Sequence, residues 1–373
     1  MNMQTDPSSI QKIRPPQLIS SLTGGFNAVA NHIYLILLPI ALDLFLWLGP
    51  HLRLKSLLEP FLTDVIALLR ESGSMEMIPM LDNIENLWTV LLDHYNLLIN
   101  LSTFPLGVPS LMAGQLPLET PLGQPEIIEI SALWQLVLGW LGISLLGLFL
   151  GSAFYAWVAN CTGRQIAQED CAGIPAGIPA GPLAQESAAF AQQMPAEEQN
   201  SPDIRPVPPL TPKVLLWQTL QLVLLVLIVL IVALMLLGPG LLISSFLALI
   251  SPALAQLALL VISFGVIWMM VPLVFSPHGI YLCGLNAFSA IFNSTRVVRF
   301  SLPSTGLFLL SLVVLYQGMG LLWRTPPDNS WMLLVGVFGH AFITTGLLAA
   351  SFVYYRSGLQ YIQALRKIGL RSL

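Results

Sequence analysis

Long uncharged apolar runs alternate with short polar ones along this chain. Residues 27–49 (NAVANHIYLILLPIALDLFLWLG) hold a single acid, Asp43, and residues 131–159 hold no Asp, Glu, Lys or Arg. The 82 residues from 214 to 295 are also free of those four types. Within them the pattern predicts a helix over 214–237, a Gly238-Pro239-Gly240 break, a short apolar piece at 241–251 and a helix over 254–275. Two more runs follow at 302–323 and 331–355. Each of the six long runs reaches the roughly 20 residues that a helix needs to cross about 30 Å of hydrocarbon. They are continuously apolar rather than alternating, so they read as helices and not as barrel strands. In lipid, a helix satisfies every backbone N–H and C=O within its own segment. The predicted fold is therefore all-α, a polytopic membrane bundle of six transmembrane helices. The 241–251 piece would rise only about 16 Å as helix, so 238–253 is read as a turn, an interfacial helix or a re-entrant piece. The first run is too long for the core of a signal peptide and no small-residue cleavage site follows it, so it is read as retained.

Between the first two runs, residues 51–130 carry ten acids against three bases. Ile84, Leu87, Trp88, Leu91, Tyr95 and Leu98 recur there at helical spacing, and a weaker stripe runs through Leu54, Leu57, Leu58, Phe61, Val65 and Leu68. The spacing predicts two amphipathic helices that pack as a hairpin or lie on the membrane surface. The acidic charge argues against anionic headgroups and for packing on the bundle. Prolines and glycines interrupt the stretch from Phe104 to Pro125, which reads as irregular.

The segment 160–213 differs in kind. Of its 54 residues 22 are Pro, Ala or Gly, with a near-repeat AGIPAGIPAGP at 172–182. So little apolar surface cannot offset chain entropy, which predicts a disordered linker. Residues 276–301 read as an interfacial amphipathic helix and 356–373 as a basic tail. No internal repeat of the kind many transporters carry is visible.

Charge then orients the threading. With six crossings, eleven of the fifteen Lys and Arg residues fall on the side of both termini: Lys12, Arg14, Arg164, Arg205, Lys213, Arg296, Arg299, Arg356, Arg366, Lys367 and Arg371. Only Arg53, Lys55, Arg70 and Arg324 fall opposite. Positive residues stay cytoplasmic, so 1–26 and the tail are predicted inside and 51–130 outside. Trp47, Trp134, Trp323 and Trp331 then lie at outer ends, and Trp157, Trp217, Trp268, Tyr354 and Tyr355 near inner ends, as headgroup-level rings should. Composition agrees. Only 9% of residues are charged and 55% are hydrophobic, a balance that a soluble chain of this length cannot bury. A net charge of −4 excludes a nucleic-acid binder. The partners predicted are the lipid bilayer, and membrane or peripheral proteins reached through 51–130 and 160–213.

From about 266 to 356, an apolar span ends near Pro272 and Pro277, a Ser/Asn-bearing amphipathic element and a basic pair follow, and the next span opens Leu-Pro-Ser-Thr-Gly at 302–306. The last span closes on Tyr354-Tyr355-Arg356. This pattern resembles bacterial six-span proteins grouped with the membrane domain of glycerophosphoryl diester phosphodiesterases. The resemblance implies a bacterial inner membrane as location. Those families have no agreed catalytic residues in the membrane domain, so it implies no site.

Candidate chemistry is sparse. Asp43, Gln317 and His340 each lie roughly six to nine residues inside the outer end of their spans, about 9–14 Å deep. They form a candidate polar layer between the first, fifth and sixth crossings. A charged carboxylate there needs a partner. An Asp–His pair at that depth relays protons or binds a cation; the plainer reading is that these groups only hold helices together. Cys161, Cys171 and Cys283 make no zinc spacing, and no HExxH, Walker A loop, GxGxxG or GxSxG is present. Neither a metal, a cofactor nor a catalytic residue is predicted. The expected role is a scaffold or accessory interaction component, with a transporter or channel-like component as the alternative.

Overall fold

The computed structural model describes residues 15–72, 78–103, 106–115, 117–172 and 211–367. In chain order the helices are α1 (Leu18–Asn31), α2 (Leu37–Leu48), α3 (Lys55–Ser72), α4 (Ile78–His94), α5 (Met112–Gln115), α6 (Leu133–Ala172), α7 (Pro212–Ile250), α8 (Pro252–Met270), α9 (Ser276–Cys283), α10 (Ala287–Phe300), α11 (Leu302–Trp323) and α12 (Leu333–Lys367). Strands β1 (His51–Arg53) and β2 (Ile127–Glu129) pair in parallel, with His51 opposite Ile127. Five helical stretches are long and apolar enough to cross a membrane. A sixth arises if the bent pair Leu18–Asn31 and Ile33–Leu48 is one crossing. The first run, expected as one crossing over 27–49, breaks at His32 with a 92° bend. The repeat at 173–182, the rest of the proline-rich linker to 210, and the ends 1–14 and 368–373 lie outside the described residues.

The described chain divides into two compact units, one of residues 1–32, 155–312 and 346–373, the other of 33–154 and 313–345. In the first, α1 buries Ser21, Gly25, Ala28 and Val29, one face at helical spacing. Gly25 is needed there because a Cβ would stand 2.2 Å from the backbone nitrogen of Ala350 on α12. The longest element is α7. Thr211 caps it by accepting the Val214 N–H, and Pro212 sits in the first turn where its missing N–H costs nothing. The expected break at Gly238-Pro239-Gly240 is absent, and the helix runs on to Ile250. Proline removes one ladder bond but need not stop a helix when its neighbours hold it. Here Gly240 lies against Ile262 of α8, where an added Cβ would approach to 3.0 Å. The chain reverses instead at Ser251, extended at φ −161°, with Pro252 opening α8. At 39 residues α7 rises about 58 Å, nearly twice the ~30 Å hydrocarbon thickness.

Beyond α8, Gly284 ends α9 in the left-handed region (φ 64°) and Asn286 caps α10 through the Ser289 N–H at 2.9 Å. Buried Gln221 of α7 receives the Ala287 N–H at 2.9 Å. On α10 the small face, Ala287, Ala290 and Ser294, is buried, while Phe288 and Phe292 point outward.

In the second unit α3 and α4 form a hairpin tied by Lys55–Asp93 at 2.8 Å and by Arg70 to Asp82 and Glu85 at 2.5 and 2.8 Å. The buried positions are Ile66, Leu81 and Leu92. Phe61, Leu68, Leu87 and Leu91 of the predicted stripes remain exposed. The hairpin's base rests on a core of Leu54, Leu97 and Ile130. The parallel β1–β2 pair, which alternation could not reveal in three-residue strands, is held at its edge by Asn96, whose Oδ1 accepts the Leu52 and Leu98 N–H groups at 3.1 Å each.

Candidate functional site

Asp43 is completely buried on α2. Its carboxylate receives the Ser110 hydroxyl at 2.5 Å and the backbone N–H groups of Leu111 and Met112 at 3.1 Å each. Ser110 Oγ in turn receives the Ala113 N–H at 3.0 Å. The partners of this acid lie in the irregular connection at 110–112 rather than on another long helix. Three donors in fixed positions are what a buried carboxylate requires. Asp43 thereby pins the first turn of α5.

His340 of α12 is also buried, and its Nδ1 has no partner among the described residues. Its ring meets Tyr316 of α11 edge-to-face at 5.9 Å. Tyr316 lies within electrostatic reach of both Asp43 and Arg324, and His340 within reach of Arg324. The Arg324 guanidinium covers Gly114 of α5, where a Cβ would stand 2.4 Å from Nη2. Trp323 packs its ring on Gly339, and its own Nε1 has no partner among the described residues. The structure thus brings Asp43 and His340 into one neighbourhood through Tyr316 and Arg324. It does not bring Gln317 there: that side chain is exposed on the outward face of α11. One step along a helix turns a side chain by about 100°, so Tyr316 faces inward and Gln317 faces away.

Compared with family models, with curated proteins and with solved structures, the chain matches none. The site is therefore read from its own residues.

A second buried cluster, in the other unit, was not foreseen. His278 of α9 meets Ser351 of α12, Nε2 to Oγ at 2.6 Å. The Ser351 hydroxyl donates to the Leu348 carbonyl at 2.6 Å, so in the neutral imidazole Nε2 carries the proton. Nδ1 is then a bare acceptor with no partner among the described residues. Phe275, Phe352 and Tyr355 wall the ring at centroid distances of 5.4, 4.4 and 6.0 Å. Tyr354 stacks on Phe308 at 4.1 Å and donates to Ser304 Oγ at 3.1 Å. The Leu-Pro-Ser-Thr-Gly opening, the Pro277 region and Tyr354-Tyr355 therefore meet in space. The legible signal was Phe275, His278 and Tyr281, three residues apart on one helical face. Trp47, Tyr354 and Tyr355, read as headgroup-level rings, are fully buried in protein; Trp47 donates to the Asp328 carbonyl at 2.9 Å and meets Trp331 edge-to-face at 6.1 Å.

Among the described residues no group of three or more His, Cys, Asp or Glu side chains is placed to hold a metal ion. Both clusters can accept or donate hydrogen bonds, and neither assembles a nucleophile with a base and an orienting acid.

Proposed function

We propose that the protein is an integral membrane scaffold or accessory component of a bacterial inner membrane, with six crossings, both termini cytoplasmic and 51–130 outside. The apolar stripes left exposed on the α3–α4 hairpin carry this reading. Phe61, Leu68, Leu87 and Leu91 are exposed and lie outside the proposed crossings. Exposed apolar residues bordered by polar ones mark a docking surface. Glu59, Asp64 and Glu71 flank the stripes, so the occupant is a protein with an apolar strip edged by Lys or Arg rather than an anionic headgroup layer. Asp43 supports the same reading, since its oxygens are spent on Ser110 and two backbone amides and hold a loop.

Cross-linking in native membranes tests it. A defined partner retained by the wild type and lost in Leu68→Glu/Leu87→Glu, with helicity unchanged, supports the scaffold. Undiminished capture by the double variant rejects it. One observation favours a carrier instead, the His340 Nδ1 that has no partner among the described residues and lies beside Tyr316 and Arg324. That reading requires proton-coupled flux in proteoliposomes that disappears in His340→Ala at unchanged protein yield.

A further inference from the structure

Gln317 sits in the outer third of α11, six residues before Trp323 and so about 9 Å below the end of that span. Its amide makes no hydrogen bond among the described residues, and it lies on an exposed line of Val313, Val314, Gln317, Gly318 and Leu321. A Cβ added at Gly318 would meet nothing within 4 Å, so the backbone is bare beside the amide. Every neighbour on this line is apolar. A primary amide turned toward hydrocarbon has lost its water and gained no partner, the condition under which polar side chains drive helices together in membranes.

An amide carries both a donor and an acceptor, so two copies of the same side chain across a two-fold axis satisfy each other with reciprocal N–H···O=C bonds. A different partner would need its own polar group at the same depth. Gly318, one residue on, lets the two backbones approach closely enough for the pair to form. We infer that the α11 face centred on Gln317 and Gly318 is a homodimer interface, its occupant a second copy of this chain. The inference rests on the six-crossing scaffold reading and adds a partner to it.

The full-length chain, tagged with donor or acceptor fluorophores at the C-terminus, is reconstituted into phosphatidylcholine vesicles at graded protein-to-lipid ratios. Energy transfer should rise with density to a dimer plateau. Gln317→Leu should weaken association about tenfold, and Gly318→Ile, which meets open space within one protomer, should weaken it as well. Leu260→Ala serves as the control, because Leu260 is an exposed apolar residue on α8 rather than α11, and should leave the curve unchanged. Thermal unfolding of each variant confirms that the protomer is intact. A wild type that stays monomeric at every ratio overturns the inference, as does a Gln317→Leu curve superimposable on wild type. So does a Gln317-dependent contact in native membranes that joins only a different protein. Release of the chain by alkaline carbonate instead rejects the membrane reading itself, and the interface with it.

Discussion

Asp43 shows what a single polar residue does in an apolar run. Hydropathy marks it as an anomaly and depth marks it as costly, but neither names its partners. Those are Ser110, Leu111 and Met112, 67 to 69 residues away in a stretch without periodicity. Asp43→Asn keeps one oxygen and turns an NH2 toward backbone donors. It should destabilise the protein by about 1–3 kcal/mol, read as a lower thermal midpoint in detergent. His51, outside the proposed crossings, supplies a pH dependence. It is 3% exposed, its Nε2 has no partner among the described residues, and burial holds its pKa below the ordinary 6.5. The unfolded chain then binds the proton more readily than the folded one, so stability falls as pH drops through about 6.5. His51→Gln should flatten the acid side of the stability–pH profile; an unchanged slope would assign it to other groups.

At the scale of elements, composition predicted helices and packing decided their ends. Gly238-Pro239-Gly240 has the residues of a turn, yet α7 passes through it because Gly240 is occupied in contact with Ile262. The reversal falls at Ser251, where Pro252 can open a new helix without losing a bond. The same logic sets the α1–α12 contact. Gly25→Val places side-chain atoms where the Ala350 backbone already is. It should cost at least the 1–3 kcal/mol typical of overpacking, roughly, while Gly306→Ala, with nothing within 4 Å of its added Cβ, should be neutral or slightly stabilising. Comparing the thermal midpoints of the two variants in one detergent checks both. Helices α3 and α4 occupy the stretches along which the two stripes run. Which apolar residues touch was a different matter: Ile66, Leu81 and Leu92 are covered, whereas the stripe residues Phe61, Leu68 and Leu87 are not.

For the whole molecule, the proposed orientation makes a direct prediction. Fusions of a reporter active only outside the cytoplasm should be silent after residue 190 and at the C-terminus, and active within 73–77. Activity at either of the first two positions contradicts both termini lying inside. The physical basis is the distribution of Lys and Arg, eleven against four, since translocating these cations is disfavoured.

The amino-acid order alone determined that this chain is helical, with runs long and apolar enough to cross a membrane, because that follows from summed transfer free energies over roughly twenty residues and needs no knowledge of neighbours. It also singled out Asp43, Gln317 and His340 as polar groups inside apolar runs. What surrounds them was decided by tertiary structure. An apolar run fixes the length of a helix but not its rotation about its axis, so nothing in the run distinguishes Tyr316, turned toward His340, from Gln317, turned away. Likewise His278 becomes a buried node only when Ser351, 73 positions later, arrives beside it. Hydrogen-bond partners so far apart in sequence are set by which faces pack, and that is a property of the assembled helices.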